Sequence, residues 1–90
     1  MDELHRIQQA IRKQKYRISI HANEELADDL LEAADIEHII LTGNIAHRFT
    51  DDPRGTRYEV LGETSDYRRV YVVCRFTLSG ILLIITTYAE

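Results

Sequence analysis

The apolar positions of this chain change period once. Between residues 4 and 40 they recur every three or four residues and from residue 45 they alternate, which predicts helices first and strands afterwards. Leu4, Ile7 and Ile11 make one narrow stripe, opened by Asp2 and Glu3 and closed by Arg12 and Lys13, the charge order a helix macrodipole favours. Such a stripe predicts a peripheral, loosely packed helix within residues 1–15. Tyr16 to Ile18 reads as a short extended segment leading to Ser19, a residue type suited to an N-cap. Ala22, Leu26, Ala27, Leu30, Leu31 and Ala34 then mark the apolar side of a second helix. Asp35 is expected to cap a third, shorter helix with Ile36, Ile39 and Ile40 inward, and Gly43 to end it in the left-handed conformation.

Beyond Asn44, Ile45, His47 and Phe49 alternate against Ala46, Arg48 and Thr50, the period of a strand. Asp51-Asp52-Pro53-Arg54-Gly55 is a turn signal, so the first strand doubles back into Thr56 to Leu61. Gly62 to Asp66 turn again. A third strand, about Tyr67 to Phe76, is joined through Thr77-Leu78-Ser79-Gly80 to a fourth, about Ile81 to Tyr88. Connections this short suit hairpins. The expected fold is therefore α+β, with N-terminal helices packed on one face of a four-stranded antiparallel β-meander. In the simple order the last strand is an edge, yet Ile81-Leu82-Leu83-Ile84-Ile85 is apolar on both faces. An edge of that kind calls for a cover, either the first helix or a protein partner, a homodimer mate among them.

Ninety residues allow one domain over 1–90, with 1–15 as the peripheral helix and 16–88 as the core. The charged start, Met1-Asp2-Glu3-Leu4-His5-Arg6, lacks the apolar region of a signal peptide, and no apolar run is long enough to cross a bilayer. A cytoplasmic location and no membrane association are expected. Cys74 is the single cysteine, so neither an intrachain disulfide nor a thiolate zinc site can form. His5, His21, His38 and His47 have no ligand spacing, and no Gly-rich phosphate loop occurs, so no metal and no cofactor are expected. The net charge of −4 is unevenly spread: residues 1–22 carry five basic and two acidic side chains, whereas residues 24–37 carry seven acids and no base. RNA, if bound, is expected on the basic N-terminal side, at Arg12, Lys13, Lys15 and Arg17.

Candidate chemistry lies in Ser19-Ile20-His21, in Arg57-Tyr58 and in Thr86-Thr87-Tyr88. A histidine, an arginine and hydroxyls on one surface are the minimum set for cleaving a phosphodiester without metal. His21 would take the 2′-hydroxyl proton of RNA, Arg57 would stabilise charge on phosphorus, and Thr86 or Tyr88 would orient or protonate. Thr86 and Tyr88, two apart on a strand, face the same way. Two alternatives stand beside this. His21 pins strand to helix while Arg57 pairs with Glu59 or a cross-strand acid; and the whole chain is a non-catalytic interaction module that binds protein through its C-terminal strand and acidic helices.

The order of elements, together with Tyr16-x-Ile18-Ser19-x-His21-Ala22, Asp35-Ile36 with Ile39, Ile40 and Gly43, Asp52-Pro53-x-Gly55-x-Arg57-Tyr58 and Ile84-Ile85-Thr86-Thr87-Tyr88, resembles the bacterial family called domain of unknown function 4258. That family is itself similar to RelE-type toxins and to the barnase, EndoU and colicin nuclease folds. The resemblance, over Tyr16 to Tyr88, implies a toxin-like, RNA-cleaving scaffold and an antitoxin protein as partner. Where the family pattern reads His-Ala-x-x-Arg, this chain has Glu25, an anion beside the expected phosphate site.

Overall fold

The computed structural model describes residues 2–90. Three helices, α1 (Glu3–Arg12), α2 (Ile20–Asp28) and α3 (Ala33–Thr42), and five strands, β1 (Tyr16–Ile18), β2 (Asn44–Phe49), β3 (Arg57–Glu63), β4 (Arg69–Phe76) and β5 (Leu82–Ala89), make an α+β fold. The sheet is five-stranded and mixed, in the order β1-β5-β4-β3-β2, not the four-stranded antiparallel meander that the alternation predicts. The extra strand is Tyr16–Ile18, which pairs parallel with Leu82–Ile84. Three residues carry too little periodicity to declare a strand, and their partner lies more than sixty positions downstream.

That pairing removes the edge expected at the C-terminus. Over Leu82–Ile84, β5 sits between β1 and β4; Leu82 and Ile84 are fully buried against the helices, whereas Ile81, Leu83 and Ile85 are half-buried, so the chain covers one face of the run completely and the other in part. The first helix is likewise no loose appendage. Ile7, Ala10 and Ile11 enter the main core, the Gln8 side-chain amide donates to the Ile40 carbonyl at 3.2 Å, and Glu3 accepts from the Tyr58 hydroxyl at 2.5 Å.

Ser19 caps α2 as expected, its Oγ accepting from the Ala22 N–H at 3.0 Å. The helix ends sooner than its apolar pattern suggests. Leu30 adopts φ 56° just past the end and is exposed, and Ala27 and Ala34 face solvent too. The backbone stop is held by the Leu31 N–H, which donates to the Leu26 carbonyl at 2.8 Å. α3 starts earlier than expected: Glu32 is its N-cap, and Asp35 is the third residue inside, accepting from the Glu32 N–H at 2.8 Å. Gly43 is extended (φ −98°), not left-handed. Its requirement is space, since a Cβ there would lie 2.6 Å from the carbonyl oxygens of Ile39 and Leu61. Gly62 meets the same helix, with a Cβ 2.1 Å from the Ile39 oxygen. Two glycines thus let α3 lie close on β3.

The helices share one face of the sheet, the one bearing Tyr58, Val60, Val70, Val72, Cys74, Leu82 and Ile84. Alternation sends Arg57, Glu59, Val73 and Arg75 to the opposite face, and a bulge at Ile85, between the Cys74–Ile84 and Val73–Thr86 pairs, shifts the parity of β5 so that Thr86 and Tyr88 join them there rather than follow Leu82 and Ile84.

Candidate functional site

The helix-free face is organised in rows set by strand register. His47 of β2 pairs with Glu59 of β3, Glu59 with Val73 of β4, and Val73 with Thr86 of β5. In the next row Phe49 pairs with Arg57, and Arg75 with Leu83. Tyr71 and Tyr88 pair on the other side and stack, their ring centroids 5.0 Å apart. Successive rows lie roughly 6–7 Å apart. Imidazole, carboxylate, phenol and guanidinium therefore share an area that one phosphate and its sugars would span.

Glu59 is the centre of this area. Its side chain is only 7% exposed, although it is a carboxylate on a helix-free face. His47 Nδ1 lies 2.6 Å from Glu59 Oε1, and the Tyr88 hydroxyl donates to Oε2. An ionised carboxylate accepts only, so this pairing keeps the His47 proton on Nδ1 and turns the lone pair of Nε2 outward, in a side chain that is 66% exposed. A buried acid orienting an exposed imidazole is an arrangement suited to general base catalysis.

Arg57, one row away, lies with its guanidinium 5.1 Å from the centroid of Phe49. Asp52 reaches it from the β2–β3 turn, Oδ2 to Nε at 3.3 Å. The same carboxylate accepts from the Arg54 N–H at 2.9 Å, and chiefly that bond, with the Arg54 side chain after it, holds Asp52 below the usual carboxylate range.

His21 and Thr86 do come together, through Glu25. Strand β1 ends at Ile18, and Ser19 continues the edge by donating N–H to the Ile84 carbonyl at 3.0 Å and Oγ–H to that of Ile85, also at 3.0 Å. Beyond this point the edge of β5 is bare, and α2 covers it. Glu25 Oε1 accepts from the Thr86 hydroxyl at 2.5 Å and from the Thr87 N–H at 2.9 Å, while His21 Nε2 stands 3.4 Å away. His21 is two-thirds exposed.

Of the residues singled out in the sequence, Tyr88 thus bonds Glu59, Arg57 lies one row away on the same face beside Asp52 and Phe49, and His21 and Thr86 meet around Glu25. No contact joins His21 to Arg57 among the described residues. Strand β4 separates β5 from β3, so their backbones are roughly 10 Å apart, and His21 lies farther out on the other side of β5. His47 and Glu59 were missed as a pair. Their signal is the hairpin, because a turn that sets Phe49 opposite Arg57 also sets His47 opposite Glu59. Cys74 is buried, and burial pushes its thiol up to about 12, well away from thiolate chemistry at neutral pH. No group of three or more metal-ligand side chains occurs among the described residues, and no helix among them is long and apolar enough to cross a membrane.

Comparison with curated proteins and with solved structures returns no match to this chain. A family model described as a domain of unknown function (DUF4258) matches residues 18–89, from the last residue of β1 to the last residue of β5. The match takes in both polar clusters and leaves α1 outside. With four-fifths of its length so matched, the chain belongs to the DUF4258 family.

Proposed function

We propose that the helix-free face of the sheet is the working surface of a metal-independent endoribonuclease, a toxin-like activity for which His47 is the general base. The observation that carries this is the His47–Glu59–Tyr88 network. Nε2 of His47 takes the proton of a ribose 2′-hydroxyl; the 2′-oxygen forms a bond to phosphorus as the bond from phosphorus to the 5′-oxygen breaks. Arg57 stabilises the charge that builds on the phosphoryl oxygens. The departing 5′-oxygen takes a proton from water on the far side of the in-line displacement, and the imidazolium returns its own to solvent. The products are a 2′,3′-cyclic phosphate and a 5′-hydroxyl end. Tyr88 supports the carboxylate rather than the substrate, and Thr86 and His21 brace helix to sheet through Glu25. The motif order is that of the DUF4258 family, and the distant relation expected between that family and RelE-type toxins and barnase-type folds fits the same reaction class, with an antitoxin protein as the partner such a toxin requires.

The test is incubation of the purified protein with total RNA at low salt and without divalent cations, beside His47→Ala, Glu59→Gln and His21→Ala. Cleavage should fall at least 100-fold in the first two and remain within a few-fold in the third. Loss in His21→Ala with retention in His47→Ala would move the base to the α2 site. Unchanged RNA in every sample, with a stable dimer by light scattering, would favour the interaction module instead.

A further inference from the structure

The β3–β4 ladder closes at the Tyr58–Cys74 pair, and continuing its register by one position sets Arg57 and Arg75 across from each other on the helix-free face. Like charges facing across a ladder repel. Each has its Nε buried without a hydrogen-bond partner among the described residues. A buried, charged donor left unpaired is costly, so two side by side demand an acceptor. The nearby carboxylates do not supply it. Asp52 approaches Arg57 Nε at 3.3 Å but without hydrogen-bond alignment, and it is engaged by the N–H and guanidinium of Arg54. Glu59, the other acid of this face, is occupied by His47 and Tyr88. Arg75 also lines, with Pro53, Arg54, Thr77, Leu78 and Ser79, a cleft of about 490 Å³ that opens beside the pair. The guanidiniums of Arg54, Arg57 and Arg75 outnumber the two carboxylates named, Asp52 and Glu59, on a chain whose net charge is −4.

The geometry points to a phosphate-binding subsite made by Arg57 and Arg75, with Arg54 at its rim. It holds a tetrahedral oxyanion against the two guanidinium groups, whose Nε donors have no acceptor of their own, and leaves the cleft beside Arg75 to the group the phosphate carries. The subsite deepens the proposed function, on which its place beside the cleaved bond rests, but its binding requires no catalysis. The ligand chemistry is a phosphate mono- or diester, and its source is either a polynucleotide backbone or a free phosphate.

The experiment uses probes that cannot be cleaved. Thermal melting is followed with and without inorganic phosphate, and affinity for a six-nucleotide single-stranded DNA is measured across a salt series, for the native chain, Arg75→Ala, Arg75→Lys and Arg57→Ala. Phosphate should raise the melting temperature of the native chain and of neither alanine variant. Either alanine variant should weaken the oligonucleotide roughly 10-fold or more and flatten the log–log salt dependence by about 0.7. Arg75→Lys, which keeps the charge without the Nε donor, should fall between. Without ligand, Arg75→Ala should melt no lower than the native chain, because it removes a repulsion; a lower melting point would make Arg75 a structural brace and overturn the subsite. A response to phosphate with no arginine-dependent binding of DNA would identify a free phosphate as the ligand. Equal affinity and salt slope in all variants, with no response to phosphate, would sink the proposal. DNA binding that depends on both arginines in a protein that leaves RNA intact would sink only the catalytic reading.

Discussion

Glu25 illustrates how a single side chain changes meaning with its surroundings. Judged by its place in the family pattern, it is an anion where a phosphate site would want a cation. In the fold it satisfies the donors that β5 exposes once β1 has ended, accepting from both Thr86 and Thr87. Replacement by alanine would leave the Thr87 N–H and the Thr86 hydroxyl without their acceptor, and a destabilisation of about 1–3 kcal/mol is expected. Urea unfolding of Glu25→Ala measures it, and an unchanged midpoint would refute the bracing role. Gly62 is the sterically demanding counterpart. The added methyl of Gly62→Ala would press on the Ile39 carbonyl from 2.1 Å, and α3 must move off β3, at a cost of about 3 kcal/mol or more. Retention of the native melting temperature would show that the helix gives way easily. Neither role was legible in the sequence, because a glycine's missing side chain and a carboxylate's acceptors become specific only when another element arrives.

At the level of elements, the boundaries that local chemistry controls agree with the amino-acid pattern. Ser19 caps α2, and the Asp52-Pro53-Arg54-Gly55 turn closes with the Gly55 N–H donating to the Asp52 carbonyl at 3.0 Å and Gly55 at φ +119°. Ser19 does more than cap, since its hydroxyl also donates to the Ile85 carbonyl. Ser19→Ala should therefore cost about 1–2 kcal/mol, and amide exchange should accelerate at both Ala22 and the start of α2. Acceleration confined to another element would contradict the assignment. The element most misjudged is α1. Three apolar positions over two turns make a stripe too narrow to distinguish a peripheral helix from one docked on the core, but Ile7 is fully buried. Ile7→Ala should lose about 2–5 kcal/mol in denaturant unfolding, whereas a loosely attached helix would lose well under 1 kcal/mol.

For the whole molecule, carboxylates held below their usual range tie stability to pH. The Tyr58 hydroxyl is the main cause for Glu3, with Arg48 assisting; the Arg54 N–H is the main cause for Asp52; the Thr64 hydroxyl is the main cause for Asp66. Each favours the ionised acid in the folded state, so the stabilisation is present above the unfolded values near pH 4 and is lost as pH falls through the lower folded ones. The melting temperature should stay level from pH 7 to about 5 and drop below about 4.5. In Glu3→Gln part of that drop should vanish; an identical acid profile would remove Glu3 from the account.

Alternation, capping residues and turn chemistry act between neighbours a few positions apart, and for that reason the helices, the hairpins and the common direction of Thr86 and Tyr88 can be read from the chain alone, whereas the side they take is set by the bulge that β5 forms against β4. That Arg57 and Glu59 share one face follows from the same two-residue period. Long-range arrangement was not. The parallel docking of Tyr16–Ile18 on Leu82–Ile84, the closing of β5 inside the sheet, and the division of the polar residues into one cluster around Glu59 and another around Glu25 all join segments far apart in sequence. Such pairings are selected by the joint burial of surfaces that no short window contains, and they emerge only when the chain has closed on itself.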